Sequence, residues 1–242
     1  MPVVQHALKE LHLKLVYYGP GLGGKTTNLE YIHAQSKPEY RGKLLSLNTE
    51  AERTLFFDLL PVELGKYREY TIRLHLCTVP GQIRYDETRR LVLRHADGIV
   101  FVADSQRAAL DANVDSVRNL ETNLIRQGDD PTRMPLVVQY NKRDLPAVMA
   151  PEELREALAV PPGVVEVEAS ARYGRGVADT LRLIVKSCLT LAGEPRWLPE
   201  GRSPSILPGT RASMVPGGKP SALGQIPAAA RLPRIDGYGD KR

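Results

Sequence analysis

The chain has 242 residues, 42% hydrophobic and 25% charged, which suits one α/β domain with an appendage and excludes wholesale disorder. No uncharged apolar run approaches the roughly 18–20 residues of a membrane span, and Met1-Pro2-Val3-Val4-Gln5-His6 lacks the cationic start and apolar core of a secretory signal. Only Cys77 and Cys188 occur, too few for a disulfide scaffold or a cysteine-rich zinc site.

The net charge of +5 is unevenly spread. Residues 193–242 hold eight Lys/Arg and four Asp/Glu, while residues 1–192 hold 25 and 24. The same 50 residues carry eight Pro and eight Gly, and no apolar period survives there. Such a segment buries too little apolar surface to offset its ordering entropy, so residues 193–242 read as a disordered basic tail behind a domain of residues 1–192. The basic balance describes that tail and gives no reason to expect nucleic-acid binding. The protein is expected to be soluble and cytoplasmic, with the tail able to contact an acidic partner or an anionic membrane surface.

From Leu11 to Leu191 short apolar runs alternate with amphipathic stretches, the pattern of βαβ units around a mostly parallel sheet. Leu13–Tyr18 reads as a strand ending in a glycine-rich turn, and Thr27–Gln35 as a helix with Leu29, Ile32 and His33 at helical spacing. Tyr70–Leu76 alternates as a half-exposed strand. Ile99–Ala103 and Leu136–Tyr140 are apolar enough for strands covered on both faces. Between them, Val117, Leu120 and Leu124 mark a crossover helix over Val114–Gln127. Pro151 opens a helix, Val164–Val167 is a last strand and Val177–Leu191 a last helix.

Gly19-Pro20-Gly21-Leu22-Gly23-Gly24-Lys25-Thr26, followed by Thr27, matches G-x-x-x-x-G-K-[ST] between a strand and a helix. Four fixed positions of this kind arise by chance about once in 100 chains of this size. Glycines let successive backbone N–H groups turn inward on phosphate oxygens, and the helix adds its N-terminal partial charge. Lys25 would reach the β- and γ-phosphates, and the Thr26 hydroxyl would ligate Mg²⁺.

A phosphate loop does not choose between adenine and guanine. Asn141-Lys142-Arg143-Asp144 follows a buried strand, at the sheet edge where α/β proteins bind ligands. A carboxylate at Asp144 can accept from guanine N1–H and its exocyclic amine, whereas adenine has no N1 donor. Asn141 can tie this loop to the phosphate loop, and the Lys142 stem can cover the base. Ser170 and Ala171, after the last strand, fit either a third base-loop segment or a small-residue turn. Asp104 at the end of Ile99–Ala103 has the position of a Walker-B carboxylate and keeps an ATPase reading open, against which Asp144 argues. The histidines His6, His12, His33, His75 and His95 have no zinc-ligand spacing.

Thr78-Val79-Pro80-Gly81-Gln82 resembles the D-x-x-G-Q motif of small GTPases, with Thr78 in place of the aspartate. Together with Tyr17–Leu22, Arg53-Thr54-Leu55-Phe56-Phe57-Asp58 and Gln139–Asp144, it makes residues 13–191 similar to the Ras-like superfamily, and within it to the bacterial mutual gliding-motility (MglA) family. The resemblance implies a P-loop NTPase of Ras-like three-layer α/β fold, hydrolysing GTP to GDP with Mg²⁺ and acting as a switch in cell polarity or motility. It implies that Thr54 senses the γ-phosphate and Mg²⁺, that Arg53 is an arginine finger in cis, that Gly81 offers its N–H to the γ-phosphate and that Gln82 positions the attacking water. It also implies a homodimeric roadblock-fold activating partner, with recruitment to a cell pole or membrane surface. Read without the resemblance, Arg53 beside Glu50 and Glu52 is a solvated surface pair and Gln82 an exposed turn residue. A nucleotide-holding scaffold without turnover is the rival function.

Overall fold

Along the strand that precedes the phosphate loop, Leu13, Leu15 and Tyr17 bury on one side and Val16 and Tyr18 on the other, so the sheet must be covered on both faces. The computed structural model describes residues 3–47, 57–67, 69–81 and 85–191. The tail 193–242 and the candidates Arg53, Thr54 and Gln82 lie outside the described residues. In chain order the elements are β1 (Val3–Gln5), β2 (Glu10–Tyr18), α1 (Lys25–Gln35), β3 (Leu45–Leu47), β4 (Phe57–Tyr67), β5 (Tyr70–Thr78), α2 (Asp86–Leu93), β6 (Gly98–Asp104), α3 (Leu110–Gln127), β7 (Leu136–Asn141), α4 (Pro151–Ala157), β8 (Val165–Glu168) and α5 (Val177–Leu191).

The sheet runs β3-β4-β5-β2-β6-β7-β8, with β1 paired antiparallel to the start of β2. Strands β5, β2, β6, β7 and β8 are parallel, while β3 and β4 are antiparallel additions at one edge. One layer packs Leu29 and Ile32 of α1 and Leu181, Ile184 and Val185 of α5 against Leu13, Leu15, Val100 and Val102. The other packs Val92 and Leu93 of α2, Leu120 and Leu124 of α3 and Leu154 of α4 against Val16, Phe101 and Val138. This is the expected three-layer α/β fold with a mostly parallel sheet, consistent with the Ras-like P-loop class.

Strands β1 and β3, most of β4 and helix α2 are additions to the elements expected from the sequence. Pro61 and Gly65 read as strand breakers, and the structure shows why β4 tolerates both. Pro61 points its carbonyl at Gly42, which donates at 2.9 Å, so its missing N–H falls on the side where β3 has already ended. Gly65, at φ +87°, sits in the irregularity between Glu63 and Lys66 where the register with β5 shifts, a bulge. Helix α2 escaped because its inward face includes a charged residue, Arg89, buried to 1% exposure.

Candidate functional site

Parallel pairing brings the carboxyl ends of β2, β5, β6, β7 and β8 to one edge, and the loops that leave them build the site. Tyr17 is level with Thr78, Tyr18 with Phe101, and Asp104 with Asn141. The phosphate loop therefore lies between the turn after β5 and the loop after β7.

Gly24 caps α1 in the left-handed region at φ +97°, and a Cβ there would fall 2.2 Å from the Asn141 side-chain nitrogen. Only glycine allows that approach. Asn141 uses it to donate to the Gly23 carbonyl at 2.8 Å while accepting from the Ala171 amide at 2.9 Å. One buried amide thus ties its own loop to the phosphate loop and to the segment after β8. Asn141→Ala would leave both partners unpaired in a dry site, at about 2–4 kcal/mol. Thermal unfolding should show the loss as a Tm lower by roughly 5–15 °C.

Lys25 is buried, and its ammonium donates to the Gly19 and Pro20 carbonyls at 3.0 and 2.6 Å. Burial above all, with the Arg89 cation adding to it and Asp58 opposing both, brings its pKa down to about 7. Thr26 donates to Asp58 Oδ2 at 2.6 Å. A cavity of about 360 Å³ opens here, lined by Leu22, Gly24, Lys25, Thr26, Thr27, Asp58, Thr78 and Gly81 among others. The first-turn amides of α1 have no partner within the helix, so they add donors to a site already carrying an ammonium. Such a cavity is built for a polyphosphate anion. Thr26, Asp58 and Thr78 present only oxygen, a donor set that fits a hard divalent cation such as Mg²⁺.

The turn after β5 closes one side. A Cβ on Gly81 would lie 2.1 Å from Gly21 Cα, so the contact requires glycine at position 81. Arg89 holds the turn from beneath: its guanidinium donates to the Pro80 carbonyl at 2.9 Å, the Gly81 carbonyl at 2.6 Å and Asn119 Oδ1 at 2.7 Å, and lies 5.5 Å from the Tyr18 ring centre.

At the other end, Ser170 donates to Asp144 Oδ1 at 2.5 Å, and Arg143 N–H bonds the Ala169 carbonyl at 3.0 Å. Lys142, at φ +66°, donates to Asp104 Oδ2 at 2.6 Å. Asp104 also accepts from the Gln106 amide and side chain, so its carboxylate serves the base-side loops. Of the two readings open for Ser170 and Ala171, these bonds join both residues to the Asn141–Asp144 loop.

The structure thus gathers Gly19, Gly21, Leu22, Gly23, Gly24, Lys25, Thr26, Thr27, Thr78 and Gly81 around one cavity and its rim, with Asn141, Lys142, Asp144, Ser170 and Ala171 beside them. Sequence reasoning missed Asp58 and Arg89. A charge inside the apolar run Leu55–Leu60 was the available signal for Asp58, whereas nothing distinguishes Arg89 from its neighbour Arg90.

No family model matches the chain. Over 190 residues it is 50% identical to the mutual gliding-motility protein MglA of Myxococcus xanthus (strain DK1622), a match covering 78% of this chain and 97% of that protein.

Proposed function

We propose that this chain, which belongs to the MglA family of Ras-like small GTPases, hydrolyses GTP to GDP and phosphate and works as a molecular switch in cell polarity or gliding motility. The observation that carries the reading is the single edge on which Asn141 joins a phosphate cavity holding Lys25 and Thr26 to a base loop holding Asp144 and Ser170. A polyphosphate end and a guanine end at fixed separation are what a GTP site requires.

On this reading Lys25 and the loop amides bind the β- and γ-phosphates, and Gly81 offers its N–H to the γ-phosphate. Thr26 and Thr54 hold Mg²⁺, which when bound neutralises phosphate charge. Arg53 adds a cation and Gln82 orients the attacking water. Phosphoryl transfer consists mostly of positioning and charge neutralisation, so these groups suffice. A homodimeric roadblock-fold protein is the proposed activator, and the site of action is the cytoplasm with recruitment to a pole or membrane surface. Incubation with GTP or ATP and chromatography of the products tests the reading. GDP formed from GTP, with ATP untouched, is the expected result. Tight GTP binding without turnover would favour the scaffold alternative, and Thr78 in place of the usual aspartate is the feature that keeps that alternative in view.

Residues 1–192 are proposed as the GTPase domain and 193–242 as a tail outside its core. Deleting 193–242 should leave turnover intact and move Tm by no more than about 2–4 °C, the equivalent of about 1 kcal/mol for a domain of this size. Any binding of the tail to an acidic partner or an anionic membrane should weaken with salt.

A further inference from the structure

Asp58 enters the cavity from the start of β4. Asp58 is only 9% exposed, and its carboxylate is ringed by hydroxyls. Thr26 and Thr78 donate to Oδ2 at 2.6 and 2.9 Å, and Ser46 donates to Oδ1 at 2.7 Å. The Asp58 amide in turn donates to Thr78 Oγ1 at 2.9 Å, so Thr78 is wedged against both backbone and side chain of Asp58. No ion pair to Asp58 occurs among the described residues, and the nearby Lys25 ammonium is spent on the Gly19 and Pro20 carbonyls. A carboxylate this buried, offered only neutral donors, is matched to a cation at the cavity.

The geometry points to Asp58 as the carboxylate of the Mg²⁺ site, supplied from β4 beside the Thr78 that stands in place of the motif's aspartate. A hydroxyl that ligates a cation through oxygen must point its O–H away from the cation, at an acceptor on the far side. Asp58 is that acceptor for Thr26, so it orients the ligand and adds negative charge behind it, the outer-shell role that fixes metal affinity. The Thr-for-Asp exchange then has a physical reason. An aspartate at position 78 would set two carboxylates within hydrogen-bonding distance of each other, and like charges so close cannot both stay ionised. The chain has room for one carboxylate, and β4 provides it. Asp58 is a positioning residue, acting on the metal through Thr26.

This inference rests on the nucleotide-binding reading above, and its test separates the two. Full-length protein is loaded with fluorescent GDP, and release is followed in EDTA and across a Mg²⁺ titration. In the wild type Mg²⁺ should slow release. Asp58→Asn should raise the Mg²⁺ concentration for half-maximal slowing by about 10–100-fold and leave release in EDTA within about twofold of wild type. The double variant Asp58→Asn/Thr78→Asp, which returns the carboxylate from β5, should recover the Mg²⁺ response and also covers a failure of the single variant to fold. A wild-type Mg²⁺ response in Asp58→Asn overturns the inference alone. So does release accelerated equally with and without Mg²⁺, which is what a mere tether of β4 would give. Absence of guanine-nucleotide binding by the wild type overturns the functional reading and this inference with it.

Discussion

Asparagine at position 144 should weaken GTP binding by roughly 30- to 700-fold, about 2–4 kcal/mol, and transfer preference to xanthosine triphosphate. The magnitude follows from two charge-assisted hydrogen bonds, to guanine N1–H and the exocyclic amine, made by one carboxylate. Ser170 fixes the geometry by donating to Asp144 Oδ1 at 2.5 Å, which leaves the second lone pair of Oδ1 and the other carboxylate oxygen for the base. In Asp144→Asn the same serine would hold the amide oxygen and turn the NH₂ group toward the ligand. There it meets a second donor in guanine but an acceptor in xanthine, whose C2 bears oxygen. Folding should be little affected, because Asn141 and not Asp144 carries the bonds to Gly23 and Ala171. Competition of GTP, xanthosine triphosphate and ATP against a fluorescent guanine nucleotide measures the switch. Unchanged GTP affinity would mean that Asp144 does not read the base, and the ATPase reading would return.

What the sequence could disclose depended on whether one segment carried its own explanation. Buried parallel strands did: Gly98–Asp104 and Leu136–Asn141 are nearly continuous apolar runs because helices cover both faces. The phosphate loop did too, since glycine positions, lysine and hydroxyl all lie within eight residues. Strand β4 did not. Its Pro61 and Gly65 signal a break until the position of Gly42 and the bulge beside β5 are known. The roles of Asp58 and Arg89 were equally hidden, because each is defined by partners far along the chain. Asp58 meets Thr26 and Thr78, 32 and 20 residues away, and Arg89 meets Asn119, 30 residues away. Local pattern locates the loops of such a site, but it does not reveal the buried charges that set their spacing.

Arg53→Ala should nearly abolish activator-stimulated GTP hydrolysis, with a loss of about 10³–10⁵ in rate, roughly 4–7 kcal/mol. Gln82→Ala should do likewise through loss of water positioning. Neither change should cost much nucleotide affinity. On the proposed reading, ground-state binding rests on Lys25, set among the loop carbonyls, on the first-turn amides of α1 and on the base loop around Asp144, none of which these substitutions replace. A finger and a water-orienting amide act on charge and geometry that develop only as the γ-phosphoryl group transfers, so their energy belongs to the transition state. For the same reason the two effects should not add: once one member of the set is gone, the other has little left to stabilise. On the proposed mechanism, turnover without the activator should already be slow, because the proposed activator is what completes the catalytic set. Equilibrium binding and single-turnover hydrolysis of the two single variants and the double variant, each with and without the proposed roadblock-fold partner, separate these contributions. Wild-type hydrolysis by both single variants in the presence of the partner would remove Arg53 and Gln82 from the mechanism.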